Sequence, residues 1–173
     1  GEIEMTRWLI GLIVLLVGAG TAEAFDEAHR TQLKTTNACP KCDLSGVDLI
    51  GAKLDNANLR KANLSGAKLA GASLKDANLE KADVTGGDLA EADLDGANLR
   101  KTIFNGADLR NARLIGASLY KADLRKANLT EADFGAADMR SAVLSGADLT
   151  GATFENANMV NADLSGAKLE KTA

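Results

Sequence analysis

Residues 57–74 read ANLRKANLSGAKLAGASL, and a small residue returns at every fifth place, each time two positions before a leucine. A helix repeats every 3.6 residues and a strand every two, so neither produces a beat of five. Extended outward, the register holds from residue 42 to residue 169 without a slip. Of the 26 positions from 44 to 169 taken five at a time, all are Leu except Val84, Phe104, Phe134, Met139, Phe154 and Met159. Two places before each, 22 of the 26 are Ala, the exceptions being Cys42, Val47, Gly87 and Thr102. The residue between is mostly Asp or Asn, as at Asp48, Asn58, Asn63 and Asp108, and the two after the leucine are mostly polar or Gly.

The composition agrees with such a pattern. At 173 residues, 25% charged and 46% hydrophobic, the chain is one ordinary domain in size and polarity, yet its aromatics are only 3%. A core without aromatics is built from uniform small and medium side chains, which suits repetition better than a jigsaw of mixed shapes.

The first stretch differs from everything after it. Met5-Thr6-Arg7 carries a positive charge, Trp8 to Gly20 is an apolar run of thirteen, and Ala22-Glu23-Ala24 has the small-x-small pattern of a processing site. Residues 1–24 are therefore expected to be a secretory signal cleaved after Ala24. An uncleaved anchor is the alternative, but the run falls short of the ~20 residues of a spanning helix, so no stable membrane span is expected. Gly1–Glu4 precede a start at Met5 and are kept out of the fold. The implied location is an exported one, the periplasm, or the thylakoid lumen in a photosynthetic cell. Without residues 1–24 the chain keeps 19 basic and 21 acidic residues, a net charge of −2. Such a balance marks neither a nucleic-acid binder nor a strongly acidic decoy.

The unit A-[D/N]-L-x-x, as in Ala57-Asn58-Leu59-Arg60-Lys61, resembles the signature of the pentapeptide-repeat family over residues 42–169. That resemblance implies an all-β fold, a right-handed quadrilateral parallel β-helix with one pentapeptide per side and twenty residues per coil. Residues 42–173 would then make about six and a half coils, a rod about 31 Å long at the ~4.8 Å spacing of paired strands. The corners support the twenty independently. Ser45-Gly46, Ser65-Gly66, Thr85-Gly86, Asn105-Gly106, Ser145-Gly146 and Ser165-Gly166 recur at twenty or forty, while Arg60-Lys61, Glu80-Lys81, Arg100-Lys101 and Tyr120-Lys121 form a second series.

In this geometry the leucine fills the bore and the alanine sits near a corner where anything larger collides. The interior is full and leaves no lumen for a substrate. Gly in the second place after leucine permits φ > 0, whereas Lys61, Lys81, Lys101 and Lys121 disfavour it, so two turn classes segregated by corner are expected. A solenoid also needs covers for its ends. Residues 25–41 are read as the N-terminal cap, with a short amphipathic helix over 25–38 that turns Phe25, Ala28 and Leu33 toward the first coil. The other end, near Leu169, has no such helix, and a homodimer through the C-terminal coil would cover it.

Cys39-Pro40-Lys41-Cys42 is the motif most suggestive of chemistry. A C-x-x-C is a structural pair, as buried thiols or a disulfide in an oxidising compartment, or a redox pair, or half of a zinc site. Cys42 falls in the alanine register and Cys39 in the leucine register, so both should point inward. There is no second C-x-x-C, and His29 is the only histidine, so no metal and no cofactor is expected. His29 reads as a cap residue with no nucleophile placed beside it. Asp83, Asp123 and Asp163 occupy the repeat's own slot, where they brace corners.

An active site is normally an exception to a scaffold's pattern, and the exceptions here are few. Ile103 and Val143 replace the polar slot, and Tyr120 and Val160 stand beside the Arg60, Arg100 and Arg140 stack. The stripe Arg60, Lys61, Lys81, Arg100, Lys101, Lys121, Arg140, with Tyr120, is the best candidate contact surface. It competes with a plain solvated face whose lysines discourage edge pairing. The expected function is a non-catalytic exported scaffold, not an enzyme, whose outer faces bind an unknown protein partner or an anionic envelope component, with no nucleic acid. Two other readings stay open. One is the DNA-mimicking, gyrase-interacting role that the family resemblance implies for some members, and the other is a thiol redox role of Cys39 and Cys42. The gyrase role would need a cytoplasmic location and a continuous acidic face.

Overall fold

The computed structural model describes residues 21–173, with side chains from residue 27 onward. The apolar run Trp8–Gly20, and with it nearly all of the expected leader, lies outside the described residues, as does the Phe25 side chain.

The repeat motif follows from where each backbone N–H finds its acceptor. In the unit Ala57–Lys61, Ala57 N donates to the Leu54 carbonyl at 3.0 Å and closes a turn. Asn58 N reaches back to Asn37 O at 3.0 Å, while Leu59 N and Lys61 N reach forward to Asn78 O and Glu80 O at 2.8 and 2.9 Å. The fifth N–H, that of Arg60, donates to Asn58 Oδ1 at 3.3 Å. Asp or Asn stands before the leucine because its side chain supplies this last acceptor, the geometry of an Asx turn. The same brace recurs at Asp83, Asp123 and Asp163, which accept from Thr85 N, Arg125 N and Ser165 N. Where Ser73 and Arg113 fill the slot, the coil before provides the acceptor. Lys75 N donates to Asp55 Oδ1 at 3.1 Å and Ile115 N to Asp95 Oδ1 at 2.9 Å.

Parallel bridges join each slot residue to the one twenty places on, from Ala38 with Asn58 to Asp148 with Lys168. With a turn every five residues, each coil has four sides. The side chains of the leucine and alanine registers point inward and, except for the half-buried Ala52, are buried from Cys39 to Ala152. Exceptions in the core are locally compensated. Thr102, in an alanine place, donates its hydroxyl to the Leu79 carbonyl at 2.7 Å. At Gly87 an added Cβ would lie 2.9 Å from Val84 Cγ1, so the β-branched Val in the leucine place leaves room only for Gly in the alanine place. Phe134 and Phe154 stack one coil apart with centroids 5.1 Å apart. Burial relaxes in the last coil, where Phe154, Met159 and Leu164 are partly exposed and Leu169 is 50% exposed.

The corners correct the expectation of two turn classes. All 26 second positions after the leucine register, from Gly46 to Lys171, have positive φ, and fifteen of them are not glycine. Lys61, Lys81, Lys101 and Lys121 have φ of 60°, 61°, 58° and 58°. With positive φ confined to the third residue and the i to i+3 bond made, every corner from Leu44 to Ala167 is a type II turn, and at the last one the Thr172 hydroxyl donates to the Leu169 carbonyl instead. The coil-to-coil ladder dictates one corner geometry for every side and overrides the local cost of a left-handed lysine.

The cap is one helix, α1 (Thr21–Thr36). Leu33 is buried against the first coil, in keeping with the amphipathic reading, but Ala28 is exposed. The reason is angular: five residues turn a helix by about 140°, which carries Ala28 away from the Leu33 face. His29, four residues from Leu33, takes its place, half-buried with Nδ1 2.9 Å from the Asp43 carbonyl oxygen. Beneath α1 the Cys39 and Cys42 sulfurs are bonded, with Cα atoms 5.3 Å apart, and both residues are buried.

Candidate interaction surface

Stacking at twenty residues turns two sequence columns into one edge of the rod. Residues 60, 80, 100, 120, 140 and 160 form the first column, and Lys61, Lys81, Lys101 and Lys121 stand beside it; we call this edge the Lys corner. The structure brings the predicted stripe together here, but its charges are not equally available. Arg60 Nε lies 3.2 Å from Glu80 Oε2, and Lys81 Nζ lies 3.7 Å from Glu80 Oε1. The hydrogen bond from Arg60 holds the Glu80 carboxyl below its ordinary value. Arg140 Nε and Nη2 grip Asp138 at 2.7 and 2.8 Å, and that hydrogen bonding lowers the Asp138 carboxyl and raises Arg140.

Lys61, Arg100, Lys101 and Lys121 make no ion pair among the described residues. Arg100 is the single one of seven described arginines in this position. It lies instead over Tyr120, its guanidinium carbon 4.7 Å from the ring centroid, with Lys121 Nζ at 5.3 Å and the Arg140 guanidinium at 5.7 Å. Contacts of this kind are each worth about 0.5–1 kcal/mol at exposed sites, enough to hold flexible cations in register. Ile103 (38% exposed) and Val160 (60% exposed) add apolar surface next to the cations, whereas Val143 is half-buried. Asn58, Asn78, Asn98 and Asn158 on the adjoining face serve mainly as Asx braces, with one stacking bond from Asn98 Nδ2 to Asn78 Oδ1 at 3.3 Å.

A second feature escaped the sequence reading. Gly135 is the sole glycine directly after a leucine-register residue, and the column Ile115, Gly135, Glu155 therefore lacks a side chain at its middle. The result is an open notch of about 380 Å³ lined by Ile115, Asp133, Gly135, Ala136, Thr153, Glu155 and Asn156. Asp133 Oδ1 accepts from Gly135 N and from Thr153 Oγ1, both at 2.9 Å. The notch is on the other edge of the face that ends at the Lys corner, with Ala137-Asp138-Met139 between it and Arg140. The signal for it in the sequence was an absence, a missing side chain in a column that otherwise carries one.

Among the described residues no cluster of three or more His, Cys, Asp or Glu could hold a metal ion, and no helix is long and apolar enough to cross a membrane.

A plugged four-sided rod of this kind defines a class, the parallel β-solenoid that presents side chains on its surface. The family model described as pentapeptide repeats matches in eight copies over residues 42–80, 77–114, 107–146 and 137–172, and the chain belongs to that family. Its members form right-handed β-helices and are in general structural or interaction proteins. Among solved structures, the chain is similar to the pentapeptide repeat protein Rfr23 from the cyanobacterium Cyanothece 51142. The two share 25% identity at a TM-score of 0.63, over 82% of this chain and 97% of that one. It is similar also to HetL, involved in heterocyst differentiation regulation, from the cyanobacterium Nostoc sp. strain PCC 7120, with 28% identity, a TM-score of 0.50, and 78% and 81% of the two chains covered. QnrB1, a plasmid-mediated fluoroquinolone resistance protein, shares 26% identity at a TM-score of 0.36, over 76% of this chain and 79% of that one. No curated protein matches.

Proposed function

We propose that this chain is a non-catalytic, exported interaction module whose Lys corner captures a protein partner with an acidic surface. The observation that carries the reading is Arg100. Every other described arginine has a carboxylate within ion-pair distance, whereas Arg100 makes no such pair, lies over Tyr120 and acts on Asp138 only at longer range, so its donors are open to a partner. Lys101 and Lys121 extend that charge along one edge of a rigid rod, so capture orders few groups and loses little entropy. Oriented charge of one sign also steers an acidic partner toward the edge.

The test is the double substitution Arg100→Glu, Lys101→Glu. It should leave the melting temperature within a degree or two and abolish capture of the partner from an envelope fraction. Unchanged capture rejects the Lys corner, and capture of an anionic envelope polymer in place of a protein rejects the assigned partner class. A gyrase-interacting DNA mimic would present a continuous acidic face, which is the opposite of this edge. A thiol redox role is disfavoured by the burial of both sulfurs beneath α1.

A further inference from the structure

We infer that the notch at Gly135 is a receptor for one lysine or arginine side chain of the partner protein. The inference rests on the reading of the rod as a protein-docking module, but the notch has its own physical argument. Successive coils are about 4.8 Å apart, so the chain segments carrying Ile115 and Glu155 are about 9.6 Å apart with only Gly135 between them. That gap admits one alkyl chain. Its walls are apolar at Ile115 and Ala136 and acidic at Asp133 and Glu155, and no cation is among its lining residues. Arg113, bridged to Asp133 from the coil before, has its guanidinium on Asp95 at 2.6 Å and near Asp93 at 3.9 Å, so its charge acts on Asp133 only at longer range.

Asp133 has one carboxylate oxygen committed to Gly135 N and Thr153 Oγ1, which fixes the group and leaves the other oxygen for a ligand. An anion is excluded by charge. A metal ion would find two carboxylates and would leave the apolar wall unused. An alkyl ammonium or alkyl guanidinium uses both, with methylenes against Ile115 and Ala136 and the charged head between Asp133 and Glu155. The face Ala137-Asp138-Met139 then separates an acidic receptor on one edge from the Arg100–Tyr120–Arg140 cluster on the other. A partner lying across that face needs a basic residue at one side and acidic residues at the other.

The probes are N-acetyl-lysine methylamide and N-acetyl-arginine methylamide, titrated into the isotope-labelled full chain, with the neutral norleucine analogue as control. The amides of Gly135, Ala136 and Asn156 should shift saturably with a midpoint of about 1–10 mM. Glu155→Gln should weaken binding about two- to five-fold, as loss of an exposed ion pair does. Gly135→Leu should abolish the shifts; Gly135 has no positive φ, but its added Cβ would lie 3.3 Å from Asp133 Oδ1, which must give slightly, so a melting point within a few degrees of the parent is expected and shows that the rod is intact. Shifts that do not saturate, that the norleucine analogue reproduces, or that survive Gly135→Leu and Glu155→Gln overturn the inference. The Arg100→Glu, Lys101→Glu chain should keep the shifts, so failure of the notch and failure of the Lys corner are read separately.

Discussion

Replacing Lys126 with glycine should stabilise the protein, although it deletes a charged side chain and adds no contact. Lys126 stands in a corner column whose other members, Gly46, Gly66, Gly86, Gly106, Gly146 and Gly166, all have φ between 62° and 70°. Lys126 is held at φ 56° by the same ladder and makes no ion pair among the described residues. A left-handed conformation costs a side-chain-bearing residue about 1–2 kcal/mol, which glycine avoids. Against this, glycine gives the unfolded chain freedom worth about 0.4–1 kcal/mol. The net gain is about 0.5–1 kcal/mol, or a rise of about 1–4 °C in melting temperature for a chain of this size. Urea unfolding followed by circular dichroism measures it. The mirror experiment is Gly106→Ala, where an added Cβ meets nothing within 4 Å, so any loss is conformational alone and should be about the same size. At Gly96 an added Cβ would meet only the carboxylate of exposed Asp76, which can swing aside, so Gly96→Ala should cost about as much as Gly106→Ala. A stabilising or neutral Gly106→Ala together with a destabilising Lys126→Gly would refute the reasoning that one strained corner geometry is imposed on every side.

Three further outcomes are expected. Ala97→Leu forces a larger side chain into a fully buried corner place and should lower stability by about 1–3 kcal/mol in the same unfolding assay; an unchanged midpoint would count against the inward alanine. Stability should also fall in acid. Asp43, Asp55, Asp108, Asp123, Asp138, Asp148 and Asp163 are held below the ordinary carboxylate value, chiefly by hydrogen bonds, with Asp148 lowered to about 2 by Thr150 and Lys168. Because the folded state binds these protons less tightly, the stabilisation is complete above the unfolded value near 3.9 and is lost as pH falls toward about 2. A urea midpoint that stays flat from neutral pH to about pH 2.5 would contradict it, and Asp148→Asn should shallow the slope. Finally, the Cys39–Cys42 bond closes a very short loop and should contribute about 2 kcal/mol, so reduction lowers the midpoint accordingly; intact mass without reductant should be two hydrogens lighter than with it.

The solenoid was legible in the sequence because its core is periodic. A leucine every five residues, an alanine two before it, and corner pairs recurring at twenty are all statements about identity at a spacing, and the ladder from Ala38 to Lys168 follows that spacing throughout. The corners were misread for the opposite reason. Local propensity says that Lys61 and Lys101 resist positive φ, but the N–H of each is held by a carbonyl of the next coil while its neighbours are held by the turn and the Asx brace, and the sum of those bonds outweighs one residue's preference. The Lys corner was visible as a column of cations, while its division into neutralised and available charge was not, because Glu80 and Asp138 fill ordinary repeat positions and only contact distances show what they engage. Arg100 and Arg140 are alike in sequence, and their difference lies in the residue two places before each, Asn98 against Asp138. The notch has no such sign in the sequence, because what makes it is the side chain that Gly135 lacks. In a rod whose interior is sealed and whose surface repeats, a binding site arises where the repeat withholds a side chain as readily as where it adds one. The two places where this chain departs most from its own pattern, Tyr120 among arginines and Gly135 among side chains, flank the same face.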